Sequence, residues 1–361
     1  MVMTIPTQSD GAVAPAKDGS TRPPAPDRGA RDPAGIRGLI FLRDRGIILL
    51  WVLLIVAFSV WARPYFGTFD NAKLIAGAAA LTAIFAAGVA VGIISGVLDL
   101  SIPGVAALAG VVCGQLLVHG QPVWLGLLCG LAIGVLAGLL NGIISLRGFN
   151  PIIVTIGMLS ITTAAASIVA EGYSIPGLTQ LTFMGTRRYD GFPAPVWIAG
   201  ALFVVLTVFL TRTRDGIRLM AVGGNPEAVR RSGIHSDRYK VLGFVISAMC
   251  SALGGLVTAA VVTEANPEAS PGIIFTALTA VALAGVSLAG GRGSLPRVLV
   301  GALILTTISN GLTIKGIDPY WGIGVTGVLL LGSLGLEKWI AGTVSRRLVS
   351  SAQASVHTGT R

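Results

Sequence analysis

Ten long apolar runs decide what this chain can fold into. They lie at 46–62, 72–95, 102–119, 122–145, 151–170, 194–211, 241–263, 272–289, 296–314 and 320–341. A helix needs about 20 consecutive apolar residues to cross the hydrocarbon core of a bilayer. The strands of a membrane barrel would instead alternate polar and apolar residues over about 10 positions, and these runs do not. The sequence therefore predicts an all-α, polytopic transmembrane protein with about ten spans.

Composition supports the membrane class and argues against other classes. Hydrophobic residues make up 53% of the 361 and charged residues only 12%, about half the charged fraction of a typical soluble domain. The net charge is +10, but the basic residues lie in loops and tails and form no stripe with interleaved aromatics. We therefore expect the lipid bilayer as a partner and no nucleic acid. No His/Cys/Asp cluster has metal-ligand spacing, so no metal site is expected.

The distribution of lysine and arginine predicts the orientation. If the N-terminus is cytoplasmic, 21 of the 26 Lys and Arg residues fall on the cytoplasmic side and five on the other. Such an excess of basic residues on the cytoplasmic side is the usual pattern in membrane proteins. We predict a disordered cytoplasmic tail at 1–45, a membrane domain at 46–341 and a cytoplasmic tail at 342–361.

A glycine repeat in the fourth apolar run predicts a helix-packing face. In lipid, helices associate through close backbone contact, which small residues permit. The glycines recur every four residues and so lie along one side of a helix. This packing face consists of Gly126, Gly130, Gly134, Gly138 and Gly142.

Two similar segments suggest an internal repeat. The stretch "NGIISLRGFNP" begins at Asn141 and "NGLTIKGIDP" begins at Asn310. They fall five spans apart and at opposite sides of the membrane. An inverted 5+5 repeat, a common plan in transporters, would explain this arrangement. The match is short, so chance similarity is the alternative.

The charged segment "AVGGNPEAVRRSGIHSDRYK" at 221–240 stands between two strongly apolar runs. Asn225 is a suitable N-cap and Pro226 suits a first helical turn. Glu227 near the N-terminus and two arginines further along interact favourably with the helix dipole. Gly233 suits the position just after the C-terminus of the helix. The segment therefore predicts a short cytoplasmic surface helix.

Within it, "EAVRRSG" resembles the E-A-A-x-x-x-G motif of bacterial ABC-transporter permeases. The longer stretch "RDGIRLMAVGGNPEAVRRSGI" is similar to the corresponding loop of the ribose/xylose type of sugar permease. The resemblance extends in collinear order over residues 45–341. It includes "GVLDLSIPG" at 96–104, "LLNGIISLRGFNPIIVTIGMLSI" at 139–161, "AGVSLAGGRGS" at 284–294 and "ISNGL" at 308–312.

The resemblance implies a permease subunit of a bacterial inner-membrane importer for a sugar or sugar-like polyol. Such a subunit forms a homodimer and works with a cytoplasmic ABC ATPase and an extracytoplasmic substrate-binding protein. It is not an enzyme and holds no cofactor, because ATP and magnesium bind the partner ATPase. The residues that would contact the ATPase are Asn225, Glu227, Ala228, Arg230, Arg231 and Gly233.

The chain departs from the family pattern at two positions. Val229 replaces the second alanine of the motif and is expected to make the docking face bulkier. Pro103 stands in "GVLDLSIPG" where the family has a different residue, which affects the local helix geometry. The chain has no G-x-x-x-x-G-K-[ST] phosphate loop, so it is not expected to hydrolyse ATP itself.

Four polar residues near span ends are candidates for the substrate pathway or its gate: Asp99, Asn141, Asn150 and Asn310. Intramembrane carboxylates are often functional. The alternative is structural: Asp99 would cap the next helix near Ser101, and the asparagines would cap broken helices.

Two other functions remain as alternatives. A nucleoside or branched-chain amino-acid ABC permease shares the general plan. An ion-coupled secondary transporter is less favoured, because such carriers usually have several ionisable groups at mid-membrane and this chain has almost none.

Overall fold

A computed structural model describes the backbone of residues 34–335 and the side chains of residues 45–335. Most of the predicted N-terminal tail and all of the predicted C-terminal tail at 342–361 lie outside these residues. By its contacts the chain divides into two units, Met1–Phe41 and Leu42–Arg361. The following description concerns the second unit, together with the residues of helix α1 that precede it.

Helices make up most of the described chain, and their bounds follow closely the apolar runs of the sequence. They are α1 (Ala34–Trp61), α2 (Phe69–Ile94), α3 (Ile102–Val118), α4 (Val123–Leu146), α5 (Pro151–Val169), α6 (Ala194–Arg212), α7 (Arg214–Gly224), α8 (Pro226–Arg231), α9 (Ser236–Val262), α10 (Gly272–Leu283), α11 (Leu295–Ile314) and α12 (Pro319–Gly335). The strands are β1 (Ile175–Pro176), β2 (Arg188–Tyr189), β3 (Phe192–Pro193) and β4 (Glu264–Ala265).

Six described helices are long and apolar enough to cross a membrane: α2, α4, α5, α6, α9 and α11. Four shorter apolar helices accompany them, namely α3, α10, α12 and the Arg45–Trp61 part of α1. Each predicted apolar run overlaps one of these helices, and the all-α polytopic class is confirmed. The count of ten spans and the inverted repeat stay predictions.

Two helices differ from their predicted spans. Helix α1 begins at Ala34, inside the segment predicted as tail. Helix α10 ends at Leu283, so the prediction of a continuous span over 272–289 is wrong in its last third. The chain leaves the helix at Gly285, which has a φ of +69°. That left-handed conformation is open to glycine and ends a right-handed helix.

Helix α9 lies at the centre of the fold, packed against α2, α3 and α4. It runs antiparallel to α4: a Cβ atom on Gly142 would meet Val241 near the start of α9, and one on Gly130 would meet Leu256 further along. The predicted glycine face of α4 thus lies on α9 and α3, with Gly126 against Cys113 of α3. The backbones of these helices are close enough for direct contact.

Short strands lie at one end of α9 and the charged segment at the other. Strand β4 follows Val262 and pairs antiparallel with β1, while β2 and β3 form a hairpin. Helix α8 ends at Arg231, just before α9 begins. Because α9 has 27 residues, it separates these two ends by about 40 Å.

Candidate functional site

Helix α8 is the short surface helix predicted over the charged segment. The Asn225 Oδ1 atom accepts a hydrogen bond from the Ala228 N–H at 3.0 Å, which caps the N-terminus. Pro226 occupies the first position, where a helix does not need an N–H. Gly233, with a φ of +79°, follows the C-cap, and its N–H donates to the Arg230 carbonyl at 3.0 Å. Both ends of α8 are therefore fixed by local hydrogen bonds.

The outer surface of α8 is polar and charged. Glu227 forms ion pairs with Arg230 and with Arg231, three and four residues further along the helix. All three side chains are at least half exposed. Val229 differs from its neighbours, because it is half-buried and packs against the main apolar core. This packing attaches α8 to the core, and the bulkier docking face expected from Val229 stays a prediction.

Helix α7 attaches this charged segment to α9. The Tyr239 hydroxyl of α9 donates to Asp215 Oδ1 at 2.9 Å and accepts from Arg218 Nη1 at 3.3 Å. Thr213 Oγ1 caps α7 by accepting from the Gly216 N–H at 3.0 Å. Leu219 and Val222 are buried in the main apolar core. Helices α7 and α8 are thus fastened to the spans by both polar and apolar contacts.

Glycines from three segments meet where α7 joins α8. We call Gly96, Gly223, Gly290 and Gly291 the glycine junction. The Gly291 N–H donates to the Ile94 carbonyl at the end of α2, at 2.9 Å. A Cβ atom on Gly223 would overlap that same carbonyl oxygen, and one on Gly290 would lie 2.5 Å from the Gly223 carbonyl oxygen. Only glycine permits this direct contact between backbones.

The glycine junction joins the charged segment to two non-helical segments. One, at 95–101, separates α2 from α3, and the other, at 284–294, separates α10 from α11. An open groove of about 320 Å³ beside the junction is lined by Gly224, Ser287, Ala289, Gly290, Gly291 and Arg292. The sequence patterns did not predict this junction. The available signal was two pairs of adjacent glycines, Gly223–Gly224 at the end of α7 and Gly290–Gly291 between α10 and α11.

Asp99 and Asn141 come together in a second place, which we call the buried polar cluster. Asp99 is 3% exposed and Asn141 is fully buried. Asp99 Oδ1 accepts from the Ser101 N–H at 2.9 Å and from the Ser101 hydroxyl at 2.6 Å, at the start of α3. Asn141 Nδ2 donates to Ser101 Oγ at 3.0 Å. Pro103 lies in the first turn of α3, where it removes no helical hydrogen bond.

The other two candidates for the substrate pathway lie elsewhere. Asn150 is exposed and caps α5, with its Oδ1 accepting from the Ile152 N–H at 2.9 Å. Asn310 exchanges two side-chain hydrogen bonds with Asn71, at 3.0 and 2.9 Å, near the start of α2. Asp99 follows the opposite end of α2. The four candidates therefore do not form one site.

Comparisons with known proteins concern most of the chain. A protein-family model described as "Branched-chain amino acid transport system / permease component" matches residues 71–334. The L-arabinose transport system permease protein AraH of Escherichia coli (strain K12) is 32% identical over 81% of this chain and 90% of its own length. The ribose import permease protein RbsC of the same strain is 31% identical over 80% of this chain and 92% of its own.

A fructose import permease protein, FrcC of Rhizobium meliloti, is also similar, with 31% identity over 81% of this chain and 84% of its own length. No solved structure matches the chain. The range matched by the family model, residues 71–334, includes α7, α8 and the glycine junction.

Proposed function

The chain belongs to the branched-chain amino acid transport system / permease component family, and we propose that it carries a sugar or sugar-like polyol in an ATP-driven importer. The names of three similar permeases support this substrate class, since they concern L-arabinose, ribose and fructose. Each is about 30% identical to this chain over at least 80% of it. The amino-acid and nucleoside alternatives have no such support among these relatives.

We also propose that α8 couples the ATPase to the transmembrane helices. The observation that carries this proposal is the position of α8 next to the glycine junction. Its charged side chains Glu227, Arg230 and Arg231 are exposed, while Val229 is anchored in the core. A polar surface presented by a firmly attached helix suits a protein partner. We infer that α8 contacts the cytoplasmic ATPase through Asn225, Glu227, Ala228, Arg230, Arg231 and Gly233.

Movement of the ATPase would reach the spans through the backbone. A displacement of α8 moves Gly223, which touches the Ile94 carbonyl of α2 and Gly290 of the α10–α11 connection. No side chain intervenes at these contacts, so a movement of one backbone segment is passed directly to the next. The segments that receive it are non-helical and can change conformation without breaking a helix.

The remaining parts of the proposal follow the family plan. A second copy of the permease completes the membrane domain as a homodimer, and a substrate-binding protein delivers the ligand at the end that bears β1 to β4. The ATPase binds ATP and magnesium, while this chain performs no chemistry. Both termini lie in the cytoplasm and the chain resides in the bacterial inner membrane.

The proposal can be tested by reconstitution. The permease is placed in proteoliposomes with a candidate ABC ATPase and a candidate substrate-binding protein from the same organism, and uptake of labelled arabinose, ribose and fructose is measured. We expect uptake of at least one sugar that requires both ATP and the binding protein. Uptake driven by a sodium or proton gradient without ATP would refute the ATP-driven mechanism. Uptake of a nucleoside or branched-chain amino acid in place of any sugar would refute the substrate class.

A further inference from the structure

A cavity of about 80 Å³ lies at the α8 end of the molecule, where α4 ends and where α5 and α9 begin. Its wall includes residues from all three helices and from the segment between α2 and α3, among them Gly96, Ser145, Leu146, Pro151 and Lys240. A single water molecule needs about 10–15 Å³, so the cavity has room for a small polyatomic group.

Lys240 gives the cavity a positive charge. The residue is half-buried, and none of the ion pairs and hydrogen bonds between described residues includes its ammonium group. Asp237, one turn earlier on α9, is exposed and does not line the cavity. Asp99 does not line it either, and its Oδ1 atom accepts from Ser101 at the start of α3. The charge of Lys240 therefore favours an anionic ligand in the cavity.

Ser145 adds a hydrogen-bond donor to the same wall. Its Oγ atom is buried and has no hydrogen-bond partner among the described residues, although buried hydroxyl groups are nearly always paired. Serine in a helix often donates to the carbonyl four residues earlier, and Ser145 does not. Rotation about χ1 to another staggered conformation can therefore turn the hydroxyl toward the cavity without loss of a hydrogen bond. A hydroxyl donor suits an anionic oxygen.

Exposed apolar side chains lie at the turn from α4 to α5. Leu146 lines the cavity and is also 40% exposed, while Phe149 is 61% exposed and Ile153 is 69% exposed. The cavity therefore borders on surface that lipid acyl chains cover in a membrane. Arg147, which follows Leu146, is exposed and takes part in none of the ion pairs between described residues. A basic cavity with an apolar border suits an amphiphilic anion better than a soluble one.

We propose that the cavity binds the phosphate group of one anionic phospholipid. Lys240 pairs with the phosphate, the Ser145 hydroxyl donates to one of its oxygen atoms, and the acyl chains lie along the exposed apolar surface of α4 and α5. Basic pockets between transmembrane helices on the cytoplasmic side bind phospholipid headgroups in other membrane proteins. The α8 end is the side that the distribution of Lys and Arg predicts to be cytoplasmic.

The headgroup would hold four separate segments together, since α4, α5, α9 and the segment between α2 and α3 all contribute to the wall. Gly96 of that segment also belongs to the glycine junction, where a Cβ atom on Gly96 would lie 3.2 Å from Gly223 Cα. The lipid would therefore stabilise the transmembrane helices beside the junction. This inference does not depend on the transported substrate or on the ATPase.

The test uses the purified, delipidated full-length permease in detergent and needs no transport assay. Its melting temperature is measured with added phosphatidylglycerol, with zwitterionic phosphatidylcholine and with inorganic phosphate, at equal ionic strength. We expect a saturable rise with phosphatidylglycerol, a smaller rise with phosphatidylcholine and none with inorganic phosphate. No rise with phosphatidylglycerol, or an equal rise with phosphatidylcholine, would overturn the proposal. An equal rise with inorganic phosphate would assign the cavity to a soluble anion and overturn the lipid.

Variants locate the lipid, and native mass spectrometry measures bound phosphatidylglycerol. Lys240→Gln removes the charge and should weaken binding about fivefold, the effect of one basic residue at an anionic membrane surface. Ser145→Leu retains Lys240 but fills the cavity, so it should also weaken binding and gives a second measurement if Lys240→Gln does not fold. Arg238→Gln is the matched control, because Arg238 is exposed at the same end of α9 and does not line the cavity.

Binding of phosphatidylglycerol that is unchanged in both Lys240→Gln and Ser145→Leu would refute the site. An equal loss of binding in Arg238→Gln would reduce the effect to general surface charge and would refute it as well.

Discussion

Gly138 of α4 lies against the backbone of Val245 in α9, so that a Cβ atom on Gly138 would be 2.5 Å from Val245 Cα. One turn earlier, a Cβ atom on Gly134 would be 2.7 Å from the Ala248 carbonyl oxygen. Helices in lipid gain little from apolar burial against one another and associate through such close contacts. This contact with α4 helps to fix the position of α9. The buried polar cluster and α8 are in turn positioned by α9.

Gly138→Leu should separate α4 from α9. The leucine side chain has no space beside the α9 backbone, and overpacking of this kind typically costs about 1–3 kcal/mol. We expect a lower melting temperature and a lower yield of folded protein in detergent. Gly200→Leu is the control, because nothing lies within 4 Å of a Cβ atom at Gly200 of α6. If both variants melt at the wild-type temperature, the close contact is not important for stability.

The glycine junction predicts that alanine substitutions at two adjacent glycines have different effects on uptake. Gly223→Ala should impair ATP-driven uptake, because the added methyl group overlaps the Ile94 carbonyl and forces α8 away from the spans. Gly224→Ala should retain uptake, since its Cβ atom would be 3.7 Å from the nearest atom, Gly291 Cα. Uptake is measured relative to the abundance of each variant in the membrane. Wild-type uptake by Gly223→Ala would show that the junction does not transmit movement.

Asn225→Ala should loosen α8. The substitution removes the side-chain oxygen that accepts from the Ala228 N–H, a loss that typically costs about 1 kcal/mol. We expect faster hydrogen exchange at residues 228–231 with little change in the melting temperature of the spans. Asn225→Asp keeps an oxygen at the cap and should restore slow exchange. Wild-type exchange in Asn225→Ala would mean that the cap is dispensable.

The orientation in the membrane is a separate prediction. The excess of Lys and Arg at the α8 side predicts that both termini lie in the cytoplasm. Fusions of a fluorescent protein that matures only in the cytoplasm should be active at either terminus. Fusions of a phosphatase that folds only in the periplasm should be inactive. An active phosphatase at either end would refute the ten-span arrangement.

Sequence patterns predicted the structural elements that are determined by residues close together in the chain. Apolar runs located the helices, because bilayer thickness fixes their length, and the sequence Asn225–Pro226 located α8, because capping depends on neighbours in the chain. The spacing of Gly130 and Gly138 indicated a packing face, since helical periodicity brings every fourth residue to one side.

Features that depend on distant segments were not predictable in this way. The sequence gives no sign that Gly223 meets Gly291 or that Asn310 pairs with Asn71, since these contacts join residues far apart in the chain. The early end of α10 at Leu283 was also missed, because the residues that follow remain largely apolar. Hydropathy does not distinguish a helix from a buried non-helical segment.

The central claim, that α8 is the contact with the ATPase, is tested most directly by co-purification of the ATPase with the permease from membranes. Gly233→Pro removes the N–H that donates to the Arg230 carbonyl and excludes the φ of +79°. Glu227→Lys reverses the charge that pairs with Arg230. Gly120→Pro is the control, because Gly120 has a φ of +74° in similarly open surroundings at the opposite end of the molecule. We predict that Gly233→Pro and Glu227→Lys reach the membrane at normal abundance but lose the ATPase, while Gly120→Pro retains it. Full retention of the ATPase by both α8 variants would contradict the account.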